Sequence, residues 1–148
     1  FLADILSSVK TIAMVGASPD PTKFSYGVLR VLHETGYDMV PVNPSLAGSE
    51  IRGLKVYPSL ADIDRPVDMV DVFRSSDALM QVAQEAIAIN AKVLWAQIGV
   101  RDDAAARLAE DAGLQVVMNR CPKIERFRPF WKPRLNQAIG RRVRQGRD

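Results

Sequence analysis

Short apolar runs alternate along this chain with segments whose apolar positions recur every three or four residues. That alternation marks strands followed by helices in a parallel α/β sheet. Thr11 to Val15 (TIAMV) reads as a buried strand, and Ser25 to Thr35 as a helix stopped by Gly36. Asp38 to Val42 reads as a second strand, cut off by Pro44. The turn-rich stretch NPSLAGSEIRGLKVYPSLADI follows, with Ser59 placed to cap one short helical turn. Val67 to Phe73 is a third strand, apolar apart from Asp68 and Asp71, which at odd spacing point to opposite faces. Leu79, Val82, Ala83, Ala86 and Ile87 give the segment Ser76 to Asn90 a continuous apolar stripe, so it reads as a helix. Lys92 to Ile98 makes a fourth strand, Asp102 to Ala112 a helix ended by Gly113, and Gln115 to Met118 a fifth strand. The expected fold is a single open, doubly wound, mostly parallel five-stranded α/β sheet of the Rossmann-like kind. The opening FLADILSSVK carries Leu2, Ile5, Leu6 and Val9 on one helical face and reads as an amphipathic helix rather than a secretory leader.

Composition changes this picture little, and charge changes it at one end. A length of 148 residues suits one domain, and 47% hydrophobic with 25% charged residues is ordinary for a globular protein. No apolar run has the length a membrane span needs. A single cysteine excludes an internal disulfide and fits a reducing, cytoplasmic location; with a single histidine it leaves no zinc set. The net charge of +3 resides in the end of the chain: residues 132–148 hold six of the twenty Lys+Arg and one of the seventeen Asp+Glu. The expected organisation is therefore a domain over 1–131 and a basic tail over 132–148. No basic strands with stacking aromatics accompany that tail, so nucleic-acid binding is a minority reading. It predicts steep salt dependence.

In doubly wound sheets ligands lie beyond the carboxyl ends of the strands. Five stretches qualify: Gly16-Ala17-Ser18, Val42-Asn43-Pro44, Val72-Phe73-Arg74, Gln97-Ile98-Gly99 and Asn119-Arg120-Cys121. The first is a small-residue turn leading into a helix, the arrangement that offers backbone N–H groups and a positive helix end to a phosphate. Lys23, Ser18 and Ser25 add side-chain donors; the competing reading is a turn kept small for packing alone. The second strand ends VPVNP without the Asp or Glu that holds the ribose in NAD sites, and Asp38 lies at its opposite end. An ordinary NAD site is therefore disfavoured, while NADP stays open. Asn43 is either a nucleotide contact or a turn-maker before Pro44. Arg74, with Ser75 and Ser76 behind it, is either a phosphate partner or a surface arginine beside a capping serine. Trp95 reads as core, and Gln97 and Gly99 as the mouth of a pocket.

Catalytic groups are sparse. His33 sits mid-helix, and Cys121 has no assignable histidine as its base. Asp68 and Asp71 do not pair. No catalytic or metal-ligating residue is assigned, and the chain reads as a binder before an enzyme.

Taken in order, IAMVGASPDPTKFSYGVLRVLHETGYDMVPVNP, PVDMVDVFR, LWAQIGV and VVMNRCPKIE resemble the small CoA-binding proteins and the CoA-binding amino-terminal domain of the succinyl-CoA synthetase alpha subunit. The resemblance runs from about residue 8 to residue 127 and leaves out the tail after Pro129. It implies coenzyme A, or an acyl-CoA, as ligand. Gly16, Ala17, Ser18, Lys23 and Ser25 would hold the phosphates, and Val42, Asn43 and Pro44 would border the nucleotide. Val72, Phe73, Arg74 and Ser76 would form the next wall, Gln97 and Gly99 the far lip. Asn119 and Cys121 match an asparagine-cysteine pair of the synthetase domain, from which the intervening Arg120 departs. The synthetase's phosphorylated histidine lies in a later domain and His33 does not match it, so the resemblance implies binding as carrier, sensor or regulator. The alternative is an NADP-dependent or acyl-CoA-processing enzyme using Cys121. Oligomeric state is not legible.

Overall fold

The computed structural model describes residues 2–118. Among these residues seven strands are present: β1 (Thr11–Val15), β2 (Asp38–Val42), β3 (Glu50–Ile51), β4 (Leu54–Lys55), β5 (Met69–Val72), β6 (Val93–Ala96) and β7 (Gln115–Val117). The four α-helices are α1 (Leu2–Ser8), α2 (Phe24–Thr35), α3 (Leu79–Ala88) and α4 (Asp103–Asp111). Five strands form one parallel sheet in the order β2-β1-β5-β6-β7, and β3 and β4 make a separate antiparallel hairpin. The chain leaves β1 toward one edge and returns on its other side as β5. The order therefore reverses between β1 and β5, which is where ligands seat in such sheets.

Both faces of the sheet are covered, which is why its strands are apolar almost throughout. One face carries α3 and α4, whose Leu79, Val82, Ala83 and Ala86, and Ala105, Ala106 and Ala109, meet Val15, Val42, Val72 and Ala96. The other carries α1 and α2: Ile5, Leu6, Val28, Leu29 and Leu32 pack against Ile12, Met14, Met39 and Trp95. Trp95 is fully buried, as its place within a strand implied. Each buried Val, Leu, Ile or Met among them contributes about 1.5–3 kcal/mol, and each alanine less.

The elements follow the sequence pattern with trimmed ends. The third and fourth strands are shorter than Val67 to Phe73 and Lys92 to Ile98, because the flanking residues turn out of the ladder into loops. The helix expected from Ser76 opens instead as a 3-10 turn, Ser76–Ala78, before α3 begins. Asp102 caps α4 by accepting from the Ala104 and Ala105 amides, and Gly36 ends α2 at φ 114°. Ser59 does precede a 3-10 turn, Leu60–Asp62, but its hydroxyl goes to the Asp62 carboxylate at 2.7 Å. The β3–β4 hairpin was not anticipated. Its turn residues Arg52 and Gly53 both have positive φ, the geometry a tight two-residue hairpin requires.

Among the described glycines the one with least room is Gly16, at the carboxyl end of β1. Its φ is +91°, and a Cβ there would stand 2.7 Å from the Phe73 carbonyl oxygen and 3.3 Å from Arg74 Cδ. Gly16→Ala is expected to destabilise the protein by about 2–5 kcal/mol, combining left-handed backbone strain with overpacking against a backbone atom that has no slack. Urea unfolding of the variant against the parent measures it; a change within 0.5 kcal/mol, the ordinary range for an innocuous surface substitution, would contradict the close approach.

Candidate functional site

Three carboxyl strand ends converge on Gly16. The Gly16 and Ala17 amides both donate to the Val42 carbonyl, at 3.1 and 3.4 Å, and the Phe73 amide donates to the Val15 carbonyl at 2.8 Å. Asn43 continues the join: its Nδ2 donates to the Ala17 carbonyl at 2.9 Å while its Oδ1 accepts from the Ser45 amide. Asn43 thus makes the turn before Pro44 and also ties the end of β2 to the first turn.

These bonds bear on the phosphate turn. Two of its amides are already engaged, so an anion would have to use others. The Ser18 amide and those of Phe24 and Ser25, the first two of α2, have no backbone partner among the described residues. Ser18 Oγ accepts from the Asp20 amide, and Ser25 is buried. Asp20 adds a carboxylate to this turn. It accepts from the Thr22 amide and hydroxyl at 2.9 and 2.7 Å, and those bonds hold its pKa below the usual carboxylate value. Lys23 is exposed beside it. The turn is therefore partly a self-satisfied loop and partly an open helix end.

On the α3 side of Gly16 lies a cavity of about 260 Å³. Its lining comes from Val15 and Val42 of the sheet, from Pro44, Pro58 and Ser59 of the loops beyond β2 and the hairpin, and from Arg74, Ala78, Gln81, Val82 and Glu85 of the loop after β5 and the α3 segment. Positions 78, 81, 82 and 85 recur at helical spacing, so one face of the α3 segment lines the opening. The cavity brings together Val42, Pro44 and Arg74 from two of the five predicted strand ends. Among the described residues no hydrogen bond or ion pair engages the Arg74 guanidinium. Pro58, Ser59, Gln81 and Glu85 were missed, and Gln81 and Glu85 carried a legible signal as polar residues four apart on the helix behind Arg74. Asp38, the acid of β2, is confined to the far end, where Arg65 binds it through Nε and Nη2 at 2.8 and 3.0 Å and lowers its pKa.

On the α2 side, Phe73 pairs with Phe24 at 6.2 Å between ring centroids, and Phe24 is 52% exposed. Val72 is core. Ser76 Oγ accepts from the Arg101 amide at 2.9 Å and lies 3.4 Å from the Gly99 carbonyl, joining the loops after β5 and β6. Gln97 was expected at a pocket mouth but is only 2% exposed, because it follows β6 on the buried face. Its Nε2 donates to Asp71 Oδ1 at 2.5 Å, leaving Asp71 Oδ2 and Gln97 Oε1 buried without partners among the described residues. Burial pushes the Asp71 carboxyl up to about 8, against the opposing effect of the Gln97 bond. Asp68, three residues earlier, faces away and accepts from the Lys10 and Thr11 amides, as the odd spacing implied. Asn119, Arg120, Cys121 and the basic tail lie outside the described residues.

A doubly wound parallel sheet with a cavity at its reversal point defines a Rossmann-like fold class. Within that class the chain belongs to the CoA binding domain family, whose model matches residues 10–126. It is 38% identical over 123 residues to the Bacillus subtilis uncharacterized protein YneT, covering 83% of this chain and 90% of that one. A solved Thermus thermophilus structure superposes with a TM-score of 0.83 at 40% identity, over 87% of this chain and 96% of that one. The alpha subunit of Pyrococcus furiosus ADP-forming acetate–CoA ligase I is 35% identical over 86 residues, 55% of this chain but only 19% of the subunit. Among the described residues no group of His, Cys, Asp and Glu is arranged to hold a metal, and no helix is long and apolar enough to cross a membrane.

Asp71 makes stability fall as pH rises. Unfolded, its carboxyl ionises at its ordinary value near 3.8; folded, it keeps its proton until about 8. Across that window the folded state binds the extra proton, so each step up in pH favours unfolding, until the effect levels off above about 8. Asp71→Asn retains an acceptor for Gln97 and has no charge to bury. It is expected to gain stability over the parent progressively between those pH values, read from melting temperatures at pH 4, 6 and 8. A constant difference across the series contradicts the assignment.

Proposed function

We propose that this chain binds coenzyme A, or an acyl-CoA, without ligase chemistry of its own, and serves as a carrier, sensor or regulator. Membership of the CoA binding domain family supports the ligand class. The observation that carries the reading to particular residues is the cavity at the reversal of strand order, whose lining brings Val15, Val42 and Pro44 together with Arg74. A flat base has apolar walls there, and a ribose-linked phosphate has a guanidinium whose donors are unengaged among the described residues. The pyrophosphate then lies toward Ser18, Lys23 and the α2 amides, and the pantetheine arm crosses Gly16 toward Phe73 and Gly99. The absence of an acid at the carboxyl end of β2 argues against an NAD ribose in the same place.

Isothermal titration with CoA, dephospho-CoA, NAD and NADP tests the proposal. CoA is expected to bind most tightly and dephospho-CoA more weakly, since the latter lacks the ribose phosphate. Arg74→Ala and Lys23→Ala are each expected to weaken CoA by about 1–3 kcal/mol, the range for a charge-assisted hydrogen bond. Binding of NAD without CoA would falsify the proposal, and unchanged CoA affinity in either variant removes that residue from the site.

A further inference from the structure

The cavity holds a polar pair that neither the fold nor a phosphate requires. Gln81 and Glu85 stand one turn apart on α3, and Gln81 Nε2 donates to Glu85 Oε1 at 3.2 Å. A carboxylate only accepts hydrogen bonds, so it must face the amide's NH2 group and never its oxygen. Glu85 therefore sets which way round the Gln81 carboxamide lies. When Glu85 takes the hydrogen anti to the oxygen, the syn N–H and the carbonyl oxygen are left over, side by side in one plane.

A donor beside an acceptor is the complement of a base edge that presents an acceptor beside an amino group. Adenine presents that edge twice, as N1 with the N6 amino group and as N7 with the same group; carboxamides read adenine bidentately in this way. A 6-oxo purine fails on both edges. Its Hoogsteen edge offers two acceptors, which sets O6 against the Gln81 oxygen. Its Watson–Crick edge offers donor and acceptor in reversed order, which a carboxamide meets only after turning over. Glu85 opposes that turn, because turning would bring the Gln81 oxygen against a carboxylate oxygen.

We infer that Gln81 reads the base of the bound nucleotide and that Glu85, by holding the Gln81 amide in one orientation, makes the cavity selective for adenine over 6-oxo purines. The inference rests on the nucleotide end of CoA occupying this cavity. Gln81 is the contacting residue and Glu85 a positioning residue. The apolar walls supply affinity for any purine and the carboxamide supplies the choice between purines.

Titration with CoA, adenosine 3′,5′-bisphosphate and inosine 3′,5′-bisphosphate tests it on the parent chain and on Glu85→Met and Gln81→Met. The parent is expected to prefer the adenosine compound by about tenfold or more, the discrimination of one bidentate base contact. Glu85→Met frees the amide to turn over, so the preference is expected to collapse toward unity through a gain in inosine affinity. Gln81→Met is expected to lose the preference through a fall in adenosine affinity alone. That opposite movement separates positioning from contact, and a merely structural role for Glu85 would weaken both compounds together. Equal binding of both bisphosphates by a parent that still binds CoA overturns this inference and leaves the CoA reading standing. Failure of the parent to bind CoA and both bisphosphates overturns the two together. An adenine preference preserved in both variants also overturns it, and since Gln81 is solvent-exposed, Gln81→Met carries the test should Glu85→Met fold poorly.

Discussion

The geometry of this protein depends on one close approach, the passage of the Phe73 carbonyl over Gly16. Strands β1 and β5 are neighbours in the sheet although β2 and the hairpin lie between them in the chain, and their carboxyl ends must separate into different loops at the same point. A residue without a side chain lets the two backbones cross at contact distance. The Val42 carbonyl, accepting from Gly16 and Ala17, then draws the end of β2 into the same knot. Three loops leave from positions fixed relative to one another, and Ser18, Asn43, Pro44 and Arg74 hang from them.

The site is consequently two-sided. Toward α3 it is a cavity with apolar walls, an arginine and the Gln81–Glu85 pair; toward α2 it is an aromatic pair and a helix end with unengaged amides. The two sides do not share a face of the sheet, and only a ligand passing over its edge can touch both. A nucleotide joined through phosphates to a long flexible arm has the right shape for that, with rigid and charged parts at one end and a chain of rotatable bonds at the other. The buried Asp71–Gln97 pair sits on the α2 face and reduces stability at neutral pH, which an apolar pair of the same volume would not do.

Much of this was legible in the sequence because it was written in hydrophobic period. TIAMV and DMVPV match β1 and β2 residue for residue, and the glycine after TIAMV announced the turn. What was not legible depended on partners distant in the chain. Nothing local in VDMVDVF says that Asp71 will meet Gln97 twenty-six residues on, or that Gln97 will be buried rather than at a lip. The hairpin at Ile51-Arg52-Gly53-Leu54 was hidden because Arg is an unusual residue at positive φ and the strands are only two residues each. For Gly16 the sequence left two readings, access for an anion and room for packing, and the 2.7 Å approach of the Phe73 carbonyl to a Cβ there makes the second a requirement without deciding the first. Pro58 and Ser59 reach the cavity only because Tyr57 bridges to Val42, a contact no spacing rule reveals. A topological rule, rather than a motif, pointed to Arg74, Val42 and Pro44, and the structure brings the three to one cavity.

Gly16 has a consequence for how such a site can change over evolutionary time. A ligand crossing the sheet meets bare backbone at the centre of its path, where no substitution can be accepted without moving two strands. Variation in what the domain recognises is thereby pushed outward, to the α3 face and the loops that frame the cavity. A lineage could retune the nucleotide through Gln81 and Glu85, or the arm through Phe24, while the crossing itself stays the same. Recognition and architecture are separated in space, and the first can drift while the second is held.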